Sequence, residues 1–133
     1  MSTDGPFELW AIGVVRSPLG DPDAAPKQGS EGGEEAWIEL DPRWLEALDD
    51  VTPGDRLLVL TWLHLGDRST LKVHPRDDRS KPLRGVFSTR SASLPNPIGL
   101  HEVEVLEVDG ARLRVAPLEA VDGTPVVDLK PVI

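Results

Sequence analysis

Short runs of apolar residues, some alternating with polar ones, recur along the chain and predict β-strands. Residues 7–15 are rich in aromatic and β-branched side chains and stop at a Ser-Pro pair, which is typical of a first strand. Residues 36–40 predict a second strand. Residues 55–65 are too long and too apolar for an edge strand, so they predict the central strand, with a histidine near its end.

The second half of the chain continues this pattern. Residues 85–89 predict a short strand, and residues 102–108 alternate charged and apolar side chains with a period of two. Asp109 and Gly110 predict a tight turn into residues 112–115. The arginines of that last segment match the glutamates across the ladder, so we expect a hairpin with favourable cross-strand pairs.

One short helix is predicted between the second and the central strand. Asp41 supplies an N-cap side chain, and Pro42 suits the first helical position. Trp44, Leu45 and Leu48 follow at spacings that give the helix one apolar face.

Residues 19–35 differ in composition from the rest of the chain. Gly, Pro, Asp, Glu and Ala dominate there without an apolar period, which predicts a long loop. Residues 124–129 predict a last strand. Six or seven strands, one short helix and no βαβ rhythm indicate a mainly β fold, a barrel or a curled sheet. We expect the whole chain, 1–133, to form a single domain.

The composition excludes several classes of site. The chain has no cysteine, so it has no disulfide, thiolate zinc site or cysteine nucleophile. It contains no dinucleotide or P-loop fingerprint, and the spacing of its three histidines matches no zinc pattern, so no metal is expected. The apolar runs are too short to span a membrane. We expect a cytoplasmic protein with no membrane partner.

The charges are unevenly distributed. The net charge is -9, which disfavours a general nucleic-acid coat. Half of the basic residues nevertheless lie within 23 positions, opposed there by two aspartates: Arg68, Lys72, Arg76, Arg79, Lys81, Arg84 and Arg90. Two interpretations stay open, a solvated surface loop and a local basic patch.

An asparagine between two prolines stands out in residues 95–97. Proline restricts its own φ angle and the residue before it, so Asn96 has little backbone freedom. A fixed amide offers two donors and an acceptor to a ligand. It could equally satisfy neighbouring backbone groups in a tight turn.

Two long motifs carry a resemblance to a known family. "RGVFSTRSASLPNPIGL" (84–100) and "EAVDGTPVVDLKPVI" (119–133) resemble the TsaA-like, or TrmO, family. The shorter motifs "AIGVVRSPL", "APKQG" and "LTWLHL" occur in the family's order. The resemblance implies a TsaA-like β-barrel that binds S-adenosylmethionine, generally as a homodimer. It also implies an S-adenosylmethionine-dependent methyltransferase acting on the exocyclic nitrogen of threonylcarbamoyladenosine beside the tRNA anticodon.

The resemblance also implies a set of site residues. The cofactor would lie against Pro26, Lys27, Gln28, His64, Leu65, Arg90, Asn96, Leu100, Leu118, Glu119, Ala120 and Val121. Arg90 would suit a carboxylate, because guanidinium binds carboxylates through two hydrogen bonds. Asp122 and His64 are the candidates to take the acceptor's proton. Local alternatives remain, since Gln28 could be solvated, His64 a strand-end residue and Asp122 an ordinary turn former.

Four positions depart from the family pattern. Lys27 and Leu94 stand where arginine is usual, Glu119 where aspartate is usual, and Val132 where tyrosine is usual. We also expect the chain to lack the C-terminal domain that some members append. Three functions therefore stay open: tRNA methylation, with Arg76, Arg79, Lys81 and Arg84 contacting phosphates; use of S-adenosylmethionine on a small-molecule metabolite; and binding of that cofactor without catalysis.

Overall fold

The structure, a computed structural model, describes residues 3–18 and 34–133. Within them six strands form a barrel: β1 (Gly13–Arg16), β2 (Ala36–Leu40), β3 (Arg56–Trp62), β6 (Ile98–Asp109), β7 (Arg112–Ala116) and β8 (Pro125–Pro131). The barrel closes in the order β1-β2-β7-β6-β3-β8, and each neighbouring pair is antiparallel. The two remaining strands, β4 (Lys72–Val73) and β5 (Arg84–Gly85), form a separate small ladder. The predicted mainly β barrel is confirmed.

The barrel interior is filled by every second side chain of its strands. On β3 the inward residues Leu57, Val59 and Thr61 are buried, and their neighbours are more exposed. On β6 Val103 and Val105 are fully buried, as the period of two predicts. This alternation converts the sequence pattern into one continuous apolar core.

The predicted hairpin joins β6 to β7. Gly110 has a φ of +58°, a conformation that glycine adopts without steric cost. Arg114 lies opposite Glu107 in the ladder, and its Nε donates to Glu107 Oε1 at 3.1 Å. Hydrogen bonds to Glu107 and Glu35 raise the pKa of Arg114. The expected pairing of arginines with acidic residues is confirmed here.

The predicted helix is a 3₁₀ segment, Pro42–Leu48. Asp41 caps it, because its Oδ1 accepts from the backbone N of Arg43 at 3.0 Å. Leu48 is buried in the core, whereas Leu45 remains 48% exposed. Trp44 stacks instead on Trp10, with ring centres 6.2 Å apart.

Three predicted strands are shorter in the structure, and the central one, predicted at 55–65, spans Arg56–Trp62. The first begins at Gly13 rather than residue 7, and Phe7 and Trp10 are 74% and 66% exposed. Strand β2 ends opposite Gly13, and Ile12 makes the last backbone bond to β8, so residues 7–11 have no ladder partner there.

The strand predicted at 85–89 is also different. Only Arg84–Gly85 pairs as β5, and Val86–Ser88 forms a 3₁₀ turn. The hydroxyl of Ser88 donates to the carbonyl of Gly85 at 2.8 Å, and that of Thr89 donates to Val86 at 3.0 Å. Such local bonds satisfy the backbone and compete with a ladder.

Antiparallel pairing brings one end of each of the six barrel strands to the same end of the barrel. The C-terminal ends of β1, β3 and β7 meet the N-terminal ends of β2, β6 and β8 there. We call this the site end.

Candidate functional site

The site end collects every predicted site residue that the structure describes. His64 and Leu65 follow β3, Arg90 and Asn96 lie in the segment before β6, and Leu100 is near the start of β6. The segment 118–122 connects β7 to β8 at the same end. Pro26, Lys27 and Gln28 lie outside the described residues, as do all residues 19–33 of the loop predicted at 19–35.

A cavity of about 690 Å³ lies between the small β4-β5 ladder and the turn after β3. We call it the basic cavity, because Arg76, Arg84 and Arg90 line it together with His74 and the hydroxyl-rich segment 88–93. Leu65 lines it as well, so the structure brings Leu65 and Arg90 to one cavity.

Gly66 allows the two walls of the basic cavity to approach closely. A Cβ placed on Gly66 would lie 2.0 Å from the carbonyl oxygen of Ala92. A side chain there would force the turn after β3 away from the segment that carries Arg90.

Asn96 is held by an arginine that the sequence analysis did not assign to the site. Arg68 Nη2 donates to Asn96 Oδ1 at 3.1 Å, and Arg68 Nε donates to the carbonyl of Pro95 at 2.6 Å. The guanidinium carbon lies 5.2 Å from the centre of the Trp62 ring. Asn96 therefore faces a second cavity of about 760 Å³, which Trp62, Arg68 and Ile98 also line.

Asp122 belongs to a third cavity of about 370 Å³. Its Oδ1 accepts from the backbone N of Ser17 at 2.9 Å, and its Oδ2 lies 4.0 Å from Arg16 Nη1. The carboxylate is thus fixed against the end of β1. Gly123 follows with a φ of +88°, which turns the chain into β8.

The segment before Asp122 is largely part of the core. Leu118 and Ala120 are buried, and a carboxylate oxygen of Glu119, Oε1, is buried too. Val121 is partly buried. A ligand at this segment would meet the backbone of Leu118 and Ala120 rather than their side chains.

His64 and Leu100 lie apart from these cavities. His64 is exposed in the turn after β3, where its backbone N bonds to the carbonyl of Trp62. Leu100 is 43% exposed on the outside of the barrel, directly opposite Leu60. Ile98 and Trp62 form the next outward pair. Leu60, Trp62, Ile98 and Leu100 together define the apolar outer face.

A polar pair of side chains joins strands β3 and β6 near the site end. The Nε2 of His101 and the Oγ1 of the fully buried Thr61 are 3.0 Å apart. Burial lowers the pKa of His101 to about 4. A Cβ on Gly99 would lie 2.4 Å from Thr61 Oγ1, so the pair depends on that glycine.

Sequence reasoning missed Arg68 and His101 for different reasons. Arg68 was counted only as one charge of the basic stretch, and its bonds to the loop depend on long-range packing. His101 had a signal in the sequence. It shares the inward period of Val103 and Val105, which predicts an imidazole that points into the barrel.

Comparison with known families assigns the chain to one of them. Residues 14–133 match the family described as tRNA-methyltransferase O N-terminal domain. The chain belongs to this TrmO family. The family and the fold that the motifs implied are therefore confirmed, and so is membership of a methyltransferase family.

Curated relatives match over nearly the whole chain. A probable S-adenosyl-L-methionine-binding protein of Methanothermobacter thermautotrophicus is 46% identical over 129 residues, 97% of this chain and 92% of its own length. An S-adenosyl-L-methionine-binding protein of Archaeoglobus fulgidus is 41% identical, covering 92% of this chain and 86% of its own. These names agree with the cofactor that the motifs implied.

Solved TrmO structures share the fold. TrmO from Pseudomonas aeruginosa matches 97% of this chain with a TM-score of 0.79 and 27% identity. A further TrmO crystal structure matches 97% of it with a TM-score of 0.78 and 30% identity. This chain covers 57% and 58% of those two chains, so it spans little more than half of their length.

Two further observations concern the described residues alone. Within them there is no cluster of three or more His, Asp or Glu side chains that could hold a metal ion. No helix in the same part of the chain has the length and apolar character needed to cross a membrane.

Proposed function

We propose that this domain binds S-adenosylmethionine at the site end and transfers its methyl group to the exocyclic nitrogen of threonylcarbamoyladenosine in tRNA. Membership of the TrmO family and the names of the curated relatives support the cofactor and the reaction class. The observation that supports the proposal most strongly is that Leu65 and Arg90, two residues implied by the family motifs, line one cavity at the site end.

The basic cavity suits this cofactor chemically. Its volume of about 690 Å³ falls within the range of roughly 300 to 1,000 Å³ that is common for small-molecule sites. Arg90 would bind the methionine carboxylate, and the exposed Leu65 would pack on an apolar part of the molecule. The further contacts implied by the motifs would come from the loop residues 26–28 and from the segment 118–122.

When bound, the cofactor supplies an electrophilic methyl group on its sulfonium. The protein's contribution is to align the acceptor nitrogen with that methyl group, because alignment alone can remove a large part of the barrier. The acceptor nitrogen also has to lose a proton. Asp122 and His64 remain the candidates, and the bond from Ser17 fixes the carboxylate of Asp122.

A homodimer completes the proposal. The apolar outer face exposes Ile98 and Leu100 at 38% and 43%, next to half-buried Trp62. Covering apolar surface of this kind is favourable, and a second copy is the occupant that the family resemblance suggests. Leu100 would then reach a cofactor from the interface rather than from inside the barrel.

A small-molecule acceptor is the second candidate. The net charge of -9 opposes tRNA binding, and Leu94 replaces an arginine that would attract phosphate or carboxylate. In both cases the acceptor would be a cytoplasmic molecule. A protein that binds the cofactor without transferring its methyl group is the third outcome.

Calorimetry and a methyl-transfer assay distinguish these functions. The purified protein is titrated with S-adenosylmethionine, and then incubated with methyl-labelled cofactor and tRNA from cells lacking any related enzyme. We expect micromolar binding, about -8 kcal/mol at 1 μM, and label in the tRNA. Binding without labelled tRNA would favour a metabolite acceptor, and absence of binding would contradict the proposal.

Two variants localise the cofactor. Arg90→Ala should weaken binding at least tenfold, because it removes a charged partner of the carboxylate. Arg43→Ala is the matched control, since Arg43 is an exposed arginine over Trp44 at the opposite end of the barrel. Equal affinities of the two variants would place the cofactor elsewhere.

A further inference from the structure

The basic cavity contains more positive charge than the methionine carboxylate needs. Arg76 and Arg84 line it in addition to Arg90, and Asp77 is the acidic residue among its lining side chains. The proposed cofactor contact uses Arg90 alone. The other two arginines therefore have no role in the proposed cofactor site.

The backbone of Arg84 is fixed in a strand, and its side chain is exposed to solvent. It lies opposite Val73 in the β4-β5 ladder, and both residues line the cavity. The ion pairs found within the described residues involve arginines and a lysine of the barrel and of the Pro42–Leu48 segment, and none involves Arg84. An unpaired guanidinium on a protein with a net charge of -9 is an available partner for an external anion.

Two hydroxyl groups that line the same cavity add donors. Ser91 Oγ accepts from the backbone N of Ser93 at 2.9 Å, and Ser93 Oγ accepts from the backbone N of Asp67 at 3.3 Å. These bonds occupy lone pairs of the oxygens and leave the hydroxyl protons to donate. Both serines line the cavity that Arg84 enters.

The backbone at the rim has unusual geometry. Arg76 and Asp77 have φ angles of 56° and 59°, in the left-handed region that costs energy for residues with a side chain. Strain of this kind concentrates at ligand sites. This geometry agrees with a cavity wall shaped for binding.

We propose that Arg84, assisted by Arg76, Ser91 and Ser93, forms an anion subsite for the methyl acceptor beside the cofactor. This inference rests on the proposed function. The ligand is an oxyanion, and the acceptor offers two sources: the carboxylate of its threonyl group and a phosphate of the tRNA backbone. Arginine with hydroxyl donors suits either group.

The test compares Arg84→Ala with Lys72→Ala. Lys72 carries the same charge on the same ladder, but its register partner is Gly85 and it does not line the cavity. Each variant is assayed with an anticodon stem-loop bearing threonylcarbamoyladenosine and with the free modified nucleoside, which retains the carboxylate and lacks the phosphates. We expect Arg84→Ala to raise the acceptor KM at least tenfold, with the affinity for S-adenosylmethionine unchanged. Lys72→Ala should change the KM less than twofold.

The free nucleoside identifies the anion. If Arg84→Ala raises the KM for the nucleoside as well, Arg84 binds the carboxylate. If the KM rises only for the stem-loop, Arg84 binds a phosphate. Equal effects of the two variants on KM would overturn the subsite and leave the proposed function standing. If the wild type transfers no methyl group, the proposed function fails separately. In that event titration of the labelled protein with inorganic phosphate and with acetate decides the subsite. The subsite is supported if either anion shifts the amide NMR resonances of Ser91 and Ser93 and Arg84→Ala abolishes those shifts. If the anions cause no such shifts in the wild type, the subsite is overturned.

Discussion

Arg68 donates a hydrogen bond to Asn96, with Nη2 and Oδ1 separated by 3.1 Å, while its guanidinium lies over the ring of Trp62. Trp62 is the last residue of β3, so one side chain joins the Pro-Asn-Pro loop to the barrel. Proline restricts the backbone of this loop, and Arg68 fixes its position in space. The loop is therefore rigid for two separate reasons.

Replacing Arg68 by Ala should loosen that loop. The change removes two hydrogen bonds and one cation-π contact, and we expect a loss of about 1 to 2 kcal/mol in the free energy of unfolding. Amide hydrogen exchange should increase at residues 93–98. Arg43→Ala is the control, because it removes a similar arginine-tryptophan contact at the other end of the barrel. Unchanged exchange at the loop would contradict the role of Arg68.

Gly99 should not tolerate a methyl group. A Cβ there would lie 2.4 Å from Thr61 Oγ1 and 3.0 Å from His101 Nε2, so Gly99→Ala has to displace this partly buried polar pair. Overpacking of this kind costs about 1 to 3 kcal/mol. Gly85→Ala is the matched control, since nothing lies within 4 Å of its added Cβ. Thermal unfolding of the two variants measures the difference, and similar losses would show that the pair can adapt.

His101 should make the fold sensitive to acid. Burial lowers its pKa from 6.5 to about 4 in the folded protein, so the unfolded chain takes up this proton at a higher pH than the native state does. The stability that the folded protein gains from keeping His101 neutral is fully present above pH 6.5, and it is lost as the pH falls towards 4. The loss is on the order of 3 kcal/mol. The difference in unfolding free energy between wild type and His101→Gln should shrink across this range. Parallel pH profiles would contradict the assignment.

The alternation along the strands predicted a mainly β fold, a barrel or a curled sheet, and the family resemblance implied the barrel. Val103 and Val105 on β6, and the Asp109-Gly110 turn, have their predicted places because the signals are local. The strand predicted at 85–89 was wrong, because Ser88 and Thr89 bond to the backbone of their own turn. The spacing of apolar residues does not reveal that these side-chain bonds compete with ladder pairing.

The site was predictable only as far as the motifs reach. Leu65 and Arg90 were placed by resemblance, and they line one cavity. Arg68 was missed, because 28 positions separate it from Asn96 and no local pattern links the two. Arg84 was assigned to a general patch. Which basic residues share a cavity with Arg84 depends on how the β4-β5 ladder packs, and the sequence pattern does not contain that information.

A charge on the apolar outer face should prevent the proposed dimer. Ile98 is 38% exposed beside Leu100, and Ile98→Arg would bury a charge in any contact made by that face. We expect sedimentation velocity to give a dimer for the wild type and a monomer for the variant. Leu45→Arg is the control, because Leu45 is 48% exposed on the Pro42–Leu48 segment, away from this face. A dimer that survives Ile98→Arg must use another surface.

The proton acceptor can be tested by a substitution that preserves the structure around it. Asn at position 122 keeps an oxygen to accept from the backbone N of Ser17 and removes the charge. The exposed contact with Arg16 at 4.0 Å contributes little to stability, so Asp122→Asn should fold normally. If Asp122 takes the proton, the single-turnover rate of methyl transfer should fall roughly 10²- to 10⁴-fold, with unchanged affinity for the cofactor.

His64→Gln is the companion variant, since it tests the other candidate without altering a buried contact. A rate loss confined to His64→Gln would assign the proton to the imidazole, because the carboxylate would then serve only to hold the end of β1. Normal rates in both variants would exclude both candidates. Alignment of the acceptor nitrogen would then supply the catalysis, with the proton leaving to water.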